Sequence, residues 1–308
     1  MVRMQSQTKS KFLSVFFTLL LLAMAILSAC NQSGSTVAQA AQVNNGRAIQ
    51  NKGSDTMVNL ALAWAEAYRN VNPAVGIAVT GGGSGTGIAA LINGTADIAN
   101  ASRKMTDNEI AEAKKNGITP VEFTVAIDAL AVIVNPANPV HQLTIGQLAD
   151  IFTGRITNWK AVGGNDAAIV LLSRETNSGT HVYFLENVVR KGDKKNKDIF
   201  APQTLLMPSS VGITSEVQRN PNAIGYDGLG YVDAQHEQLI AIAANEQSTY
   251  VAPSVQSGAD GTYPIARGLY MYTAGEPTEG TADYMNWIRG TEGQKIVSEL
   301  GFVPLPKR

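Results

Sequence analysis

Leu171-Leu172-Ser173-Arg174-Glu175-Thr176-Asn177-Ser178-Gly179-Thr180-His181 contains the end of an apolar strand, a turn of Ser, Thr and Gly, and the start of a helix over 181–189. The same layout occurs twice more. Gly53-Ser54-Asp55-Thr56 opens a helix over 55–70, and Gly81-Gly82-Gly83-Ser84-Gly85-Thr86-Gly87 links a strand over 76–80 to a helix over 85–93. Strands that feed helices through short glycine-bearing turns indicate an α/β chain with a mainly parallel sheet. A helix start leaves N–H groups unpaired and carries partial positive charge, so each turn is a seat for an anion. One such turn reads as a plain cap. Three of them, with arginines in or beside two, point to an oxyanion site.

Outward from these turns the alternation continues. Met57, Leu60, Ala61, Trp64, Ala67 and Tyr68 follow helical spacing, and Thr106 with Glu109 spells a capping box at the head of a helix over 106–115. Further helices are expected over 145–152 and 281–300, and further strands over 97–101, 169–172, 223–226 and 269–272. The apolar stretch 121–134 is too long for an ordinary strand. It and the segment 263–273 are each extended enough to begin in one lobe and end in another. This predicts a discontinuous first lobe, 47–126 plus 266–308, and a second lobe, 127–265.

Of 308 residues, 44% are apolar and 16% charged, a composition with a core to bury. With 24 basic and 25 acidic residues there is no basic field for nucleic acid. A single cysteine excludes a disulfide scaffold and a thiolate metal site, and His141, His181 and His236 are too scattered to suggest a metal cluster. No metal and no cofactor are expected. The cysteine is informative by its place. Arg3, Lys9 and Lys11 precede an apolar run over 12–26, and Leu27-Ser28-Ala29-Cys30 closes it. That is a secretory signal over 1–29, and it resembles the bacterial lipobox, in which the cysteine is lipidated and becomes the new N-terminus. Residues 30–46 then read as a flexible tether. The head is expected outside the cytoplasm, held to a membrane through lipid on Cys30.

Among single residues, Arg103 follows a strand in Asn100-Ala101-Ser102-Arg103, and Arg174 lies four positions before Ser178. Arginine's planar fork suits tetrahedral oxyanions. Asp128 interrupts the apolar run Ala126-Ile127-Asp128-Ala129-Leu130-Ala131-Val132. A carboxylate there needs a partner. It is either in a salt bridge to one of these arginines or the acceptor for the proton of a monohydrogen oxyanion. Asp55 reads as an N-cap and His181 as an exposed helix residue.

These stretches, with Leu143-Thr144-Ile145-Gly146-Gln147-Leu148, Ile156-Thr157-Asn158-Trp159 and Gly301-Phe302-Val303-Pro304-Leu305, resemble the periplasmic phosphate-binding proteins (PstS) of phosphate ABC importers. The resemblance covers essentially the whole chain after the signal, and Arg-x-x-x-Ser-Gly-Thr is its most specific element. It implies a type II periplasmic-binding-protein fold with two α/β lobes, a two-strand hinge and phosphate enclosed in the cleft between them. It assigns Thr56, the Met57 backbone and Ser84 to the first lobe's share of the site. Arg174, Ser178, Gly179 and Thr180 form the second lobe's share, with Arg103 and Asp128 completing the set. The expected partners are inorganic phosphate and a membrane permease, and the expected state is a monomer.

Two positions depart from the pattern. Arg103 stands where many members carry a proton-accepting aspartate, which makes Asp128 the leading acceptor. Thr176 stands where an aspartate often pairs with the motif arginine.

The alternatives are a binding protein for sulfate, molybdate or tungstate, a surface lipoprotein without a ligand, and an exported enzyme. Gly85-Thr86-Gly87-Ile88-Ala89-Ala90 fits a dinucleotide fingerprint only in isolation, Ser84 lacks the glycine of a nucleophile elbow, and no lysine follows Gly87 as in a P-loop. The anchor reading generates one expectation. Cys30→Ser should block lipid attachment and yield soluble head or unprocessed precursor. Membrane partitioning of a correctly cleaved mutant, unchanged from wild type, would refute it.

Overall fold

In the computed structural model, which describes residues 48–306, the chain opens with three strands alternating with helices. These are β1 (Ile49–Gly53), α1 (Val58–Val71), β2 (Ile77–Thr80), α2 (Ser84–Ile92), β3 (Ile98–Ala101) and α3 (Asp107–Lys115). The chain then crosses on β4 (Val121–Val134) and continues through β5 (Gln142–Thr144), α4 (Ile145–Phe152), β6 (Val170–Arg174), α5 (Gly179–Phe184), β7 (Leu205–Met207) and α6 (Ser210–Arg219). After β8 (Ala223–Gly228), β9 (Gln238–Leu239), β10 (Ala241–Ala243) and α7 (Val255–Ala259) it returns on β11 (Ala266–Thr273) and ends with α8 (Glu279–Ile288) and α9 (Thr291–Glu299). The signal, the tether and Cys30 lie outside the described residues. Among the described residues, no helix is long and apolar enough to cross a membrane.

β4 organises everything else. Its 14 residues extend for about 45 Å at the rise of a strand. From Val121 to Ala129 it pairs with β11, and from Leu130 to Val134 with β8. Val125 and Ala126 therefore join one apolar core with Met57, Leu60, Trp64, Leu269, Tyr284 and Phe302. Leu130, Val132 and Val134 join a second core with Phe152, Trp159, Phe184 and Tyr226. Both faces of the strand are covered, which is why it reads as a nearly unbroken apolar run rather than an alternating one.

The sheet runs β2-β1-β3-β11-β4-β8-β6-β7. It is parallel at both ends but antiparallel at the β3–β11, β11–β4 and β4–β8 contacts. The sheet is thus mixed, not mainly parallel. A chain that leaves the first core on one strand must come back on another in the opposite sense, and the two lie side by side. Local readings shift in the same way. The helix expected over 55–70 starts as a 3-10 turn, Asp55–Met57, before α1. The expected 181–189 helix is α5 followed by a π turn, Leu185–Val189. The expected 281–300 helix is two helices, divided at Arg289-Gly290. The capping box of Thr106 and Glu109 forms with both of its bonds.

Trp64 fastens α1 to the end of the chain. It is fully buried, and its indole N–H donates to the Gly293 carbonyl at 2.8 Å. Trp64→Ala should lower unfolding stability by about 3–5 kcal/mol in denaturant titration. A loss below about 1 kcal/mol would mean that this core closes without it.

Candidate functional site

The three Gly/Ser/Thr turns converge. β1 ends at Gly53, whose φ of +145° and approach to the Asn100 carbonyl leave no room for a side chain. The chain then turns through Asp55–Met57 and sets the buried Thr56 hydroxyl 2.9 Å from the Thr180 hydroxyl, 124 residues later. Ser84 begins α2 and Gly179 begins α5, so two helix N-termini face each other. A Cβ on Gly179 would lie 2.3 Å from Ser84 Oγ and 2.7 Å from Ser102 Oγ. The motif requires glycine there because the second helix must come within touching distance of the first. Asn177 stitches the turns together. Its amide donates to the Gly82 carbonyl at 3.0 Å, and its carbonyl accepts from Gly85 N at 3.0 Å. Ser178 caps α5 by accepting from Thr180 N at 3.2 Å.

Arg174, at the end of β6, is 1% exposed and held on several sides. Nη2 donates to Asp55 Oδ2 at 2.8 Å and to the Pro208 carbonyl at 3.1 Å, and Nη1 donates to Ser210 Oγ at 3.0 Å. Asp55 is therefore not a plain N-cap. Its Oδ1 accepts from Gly82 N at 2.9 Å, and its Oδ2 is the carboxylate partner that Thr176 does not provide. Ser210 passes the contact on, donating to Asp227 Oδ1 at 2.9 Å.

Asp128 is fully buried and does have a cationic partner, but neither of the two expected from the sequence. The partner is Arg267, directly opposite it in the β4–β11 register, with Nε at 3.1 Å and Nη2 at 2.9 Å from Oδ2. The other carboxylate oxygen accepts from Leu229 N at 3.1 Å.

Two further site candidates are engaged with other partners, and the reading of His181 is corrected. Arg103 is held by Glu109 through two 2.7 Å bonds and, with Arg267 and Tyr183, lines a cleft of about 760 Å³. Its terminal nitrogens bond Glu109 and the Lys104 carbonyl, not the hydroxyls of Thr56 and Thr180. The Met57 amide is already used on the Ser54 carbonyl at 3.0 Å, and its side chain belongs to the first core. His181 is buried rather than exposed. Its Nδ1 lies 2.8 Å from the Arg174 carbonyl and 3.0 Å from Ser173 Oγ, and burial lowers its pKa. It orders the strand end and makes no bond to Ser178.

Sequence reasoning missed Arg267, Asp227, Ser102 and Ser210. Arg267 and Asp227 carry the signal that exposed Asp128, a lone charge inside an apolar strand. Ser102 and Ser210 carry none, because serines at turn ends and helix starts are commonplace.

Residues 32–292 match the PBP superfamily domain. The phosphate-binding protein PstS of Pseudomonas aeruginosa is 34% identical over 277 residues, 84% of this chain and 84% of that protein. PstS of Bacillus subtilis is 29% identical over 288 residues, 92% of this chain and 90% of its own length. Among solved structures, a putative phosphate ABC transporter substrate-binding protein with bound phosphate from Clostridium perfringens is similar at a TM-score of 0.75. It is 32% identical, and the match covers 84% of this chain and 100% of that one.

The buried acid Asp227 gives the site a pH signature. Desolvation pushes its carboxyl up to about 6 from the ordinary 3.8, while the Arg174 charge, the Gly228 N–H and the Ser210 hydroxyl oppose the rise. Between about pH 4 and 6 the folded chain keeps a proton that the unfolded chain has lost. The group's contribution to stability therefore falls as pH rises through that window and is constant above it. Relative to Asp227→Asn, wild type should lose on the order of 3 kcal/mol between pH 4 and pH 7 in paired urea titrations. A difference that does not change with pH would show that this carboxyl titrates alike in both states.

Proposed function

The chain belongs to the PstS family of phosphate-binding proteins within the PBP superfamily, and from that premise we propose that it captures inorganic phosphate outside the cytoplasm and delivers it to an ABC importer. The observation that carries the reading is the meeting of Thr56 and Thr180, at 2.9 Å, between two opposed helix starts and beside the buried Arg174. Donors at this density, with little else to bind, suit one small anion rather than a dinucleotide or a peptide.

In this proposal Thr56 and Ser84 contribute from one lobe, and Arg174, Ser178, the Gly179 N–H and Thr180 from the other. Asp128 accepts the proton of a monohydrogen phosphate on the oxygen that Arg267 leaves free. The lobes comprise 47–126 with 266–308, and 127–265. β4 and β11 form the hinge between them, and each of the two apolar cores belongs to one lobe. The chain binds as a monomer, without turnover, and is held by lipid on Cys30 beside a membrane permease. The signal-like segment before Cys30 supports export.

Isothermal titration should give tight 1:1 phosphate binding. Arg174→Ala should weaken it about 100-fold or more, since a charge-assisted contact is lost and Asp55 is left without its cation. Thr180→Ala should cost about tenfold. Silence toward both phosphate and arsenate at micromolar protein would remove the reading, and a reversed order of the two variants would put Arg174 outside contact with the anion.

A further inference from the structure

Arg267 is 5% exposed and sits at the crossing of the two long strands, where one charged side chain touches both halves of the site. Nε and Nη2 hold Asp128 Oδ2. Nη2 also lies 3.0 Å from Thr180 Oγ1 and 3.5 Å from Thr56 Oγ1, the two hydroxyls that meet across the cleft. The guanidinium carbon stands 5.5 Å from the centre of the Tyr183 ring, and Tyr183 is itself fixed by its bond to the Ala266 carbonyl at 2.8 Å. The fork is therefore held by a carboxylate, a hydroxyl and a ring face at once.

Guanidinium has five N–H groups. One on Nε and one on Nη2 go to Asp128, and the second on Nη2 goes to Thr180. Nη1 is buried and has no partner. Buried donors are almost always satisfied, so this one requires an account. Arg103 Nε is also buried without a partner, but both terminal nitrogens of that fork are taken by Glu109, whereas Arg267 bonds Thr180 directly. Asp128 shows the complementary pattern. Oδ2 accepts two bonds from Arg267 and is full, whereas Oδ1 accepts one, from Leu229 N, and keeps room for a second.

We infer that Arg267 is a ligand-contacting and specificity-determining residue of this site. Nη1 donates to the captured oxyanion, and the other two nitrogens hold the Asp128 carboxylate so that Oδ1 keeps one open acceptor position. This rests on the phosphate reading given above. The chemistry follows from the count of donors and acceptors. A monohydrogen phosphate meets a donor at Nη1 and can place its own proton on Oδ1. A sulfate gains the same donor but directs a lone pair at Oδ1 and is refused. Without the guanidinium nothing holds Oδ2, Oδ1 is no longer fixed toward the anion, and the distinction between the two anions is lost. The other charges facing this pair, Arg174 and Asp227, are held to each other through Ser210 and do not replace Arg267.

The test compares wild type, Arg267→Gln and Arg267→Lys by calorimetric titration with phosphate and by sulfate competition at pH 7.5. Arg267→Gln should lose about 100-fold in phosphate affinity while its phosphate-to-sulfate ratio falls at least tenfold. Arg267→Lys keeps the positive charge and should restore the ratio and part of the affinity. If Arg267 only neutralises Asp128 for folding, Arg267→Gln lowers the melting temperature but leaves the ratio unchanged, and the inference is overturned. A crystal structure of the wild-type phosphate complex decides the matter even if the variants fail to fold. Nη1 should lie about 3 Å from a phosphate oxygen, and protein atoms interposed between them would overturn the proposal. A wild type that binds no phosphate removes the phosphate reading itself, and this inference with it. A wild type that binds, beside an Arg267→Gln that binds equally well, removes Arg267 alone.

Discussion

A buried carboxylate and a buried guanidinium face each other across β4 and β11, and the architecture is arranged around that contact. The two strands are the route by which the chain leaves one core and regains the other. Apolar residues fill β4 on either side of Asp128, with Val125 and Ala126 in the first core and Leu130 to Val134 in or beside the second. A charge at the crossing is costly to bury unless it is matched, and removal of one partner from such a pair is far more damaging than removal of both. The register of the hinge is therefore constrained. A one-residue slip of β11 would turn Arg267 away from Asp128 and expose its apolar face.

The second requirement is close approach. Two helix starts cannot serve one small anion unless they nearly touch, and here Gly179 faces Ser84 and Ser102 at a distance that excludes any Cβ. The glycines at 53 and 83 serve the same end in the first half of the chain, each pressed against a carbonyl of another segment. The hydroxyls of Thr56 and Thr180, the Asn177 bonds and the Asp55–Arg174 ion pair join the halves through polar groups. An interface of this kind can open to water at low cost, whereas the two apolar cores behind it cannot.

Around Arg174 a chain of polar groups extends from the half-buried Asp55 through the guanidinium and Ser210 to the buried Asp227. Each member restrains the next, so Arg174 has a fixed orientation without help from the motif itself. The carboxylate that pairs with Arg174 is thus Asp55, distant in sequence and adjacent in space, and not a residue of the motif.

The sequence by itself determined the periodic elements and the seats. Apolar spacing marked α1 and the length of β4, and the capping box marked the head of α3. The clustering of Gly, Ser and Thr after strands marked the three turns, because helix starts, positive φ and close approach each demand a local residue type. It also showed that Asp128 required a partner, since a lone charge in an apolar run is visible in one dimension. It could not say which one. Arg103 and Arg174 were nearer in sequence or motif, yet Arg267 is the residue opposite, because strand register is set by how two cores pack and not by any local pattern. The antiparallel centre of the sheet, the use of Asp55 as a counter-ion and the burial of His181 were decided the same way. Propensity acts between neighbours in the chain, whereas ion pairs and burial depend on which distant segments the fold brings within a few ångströms.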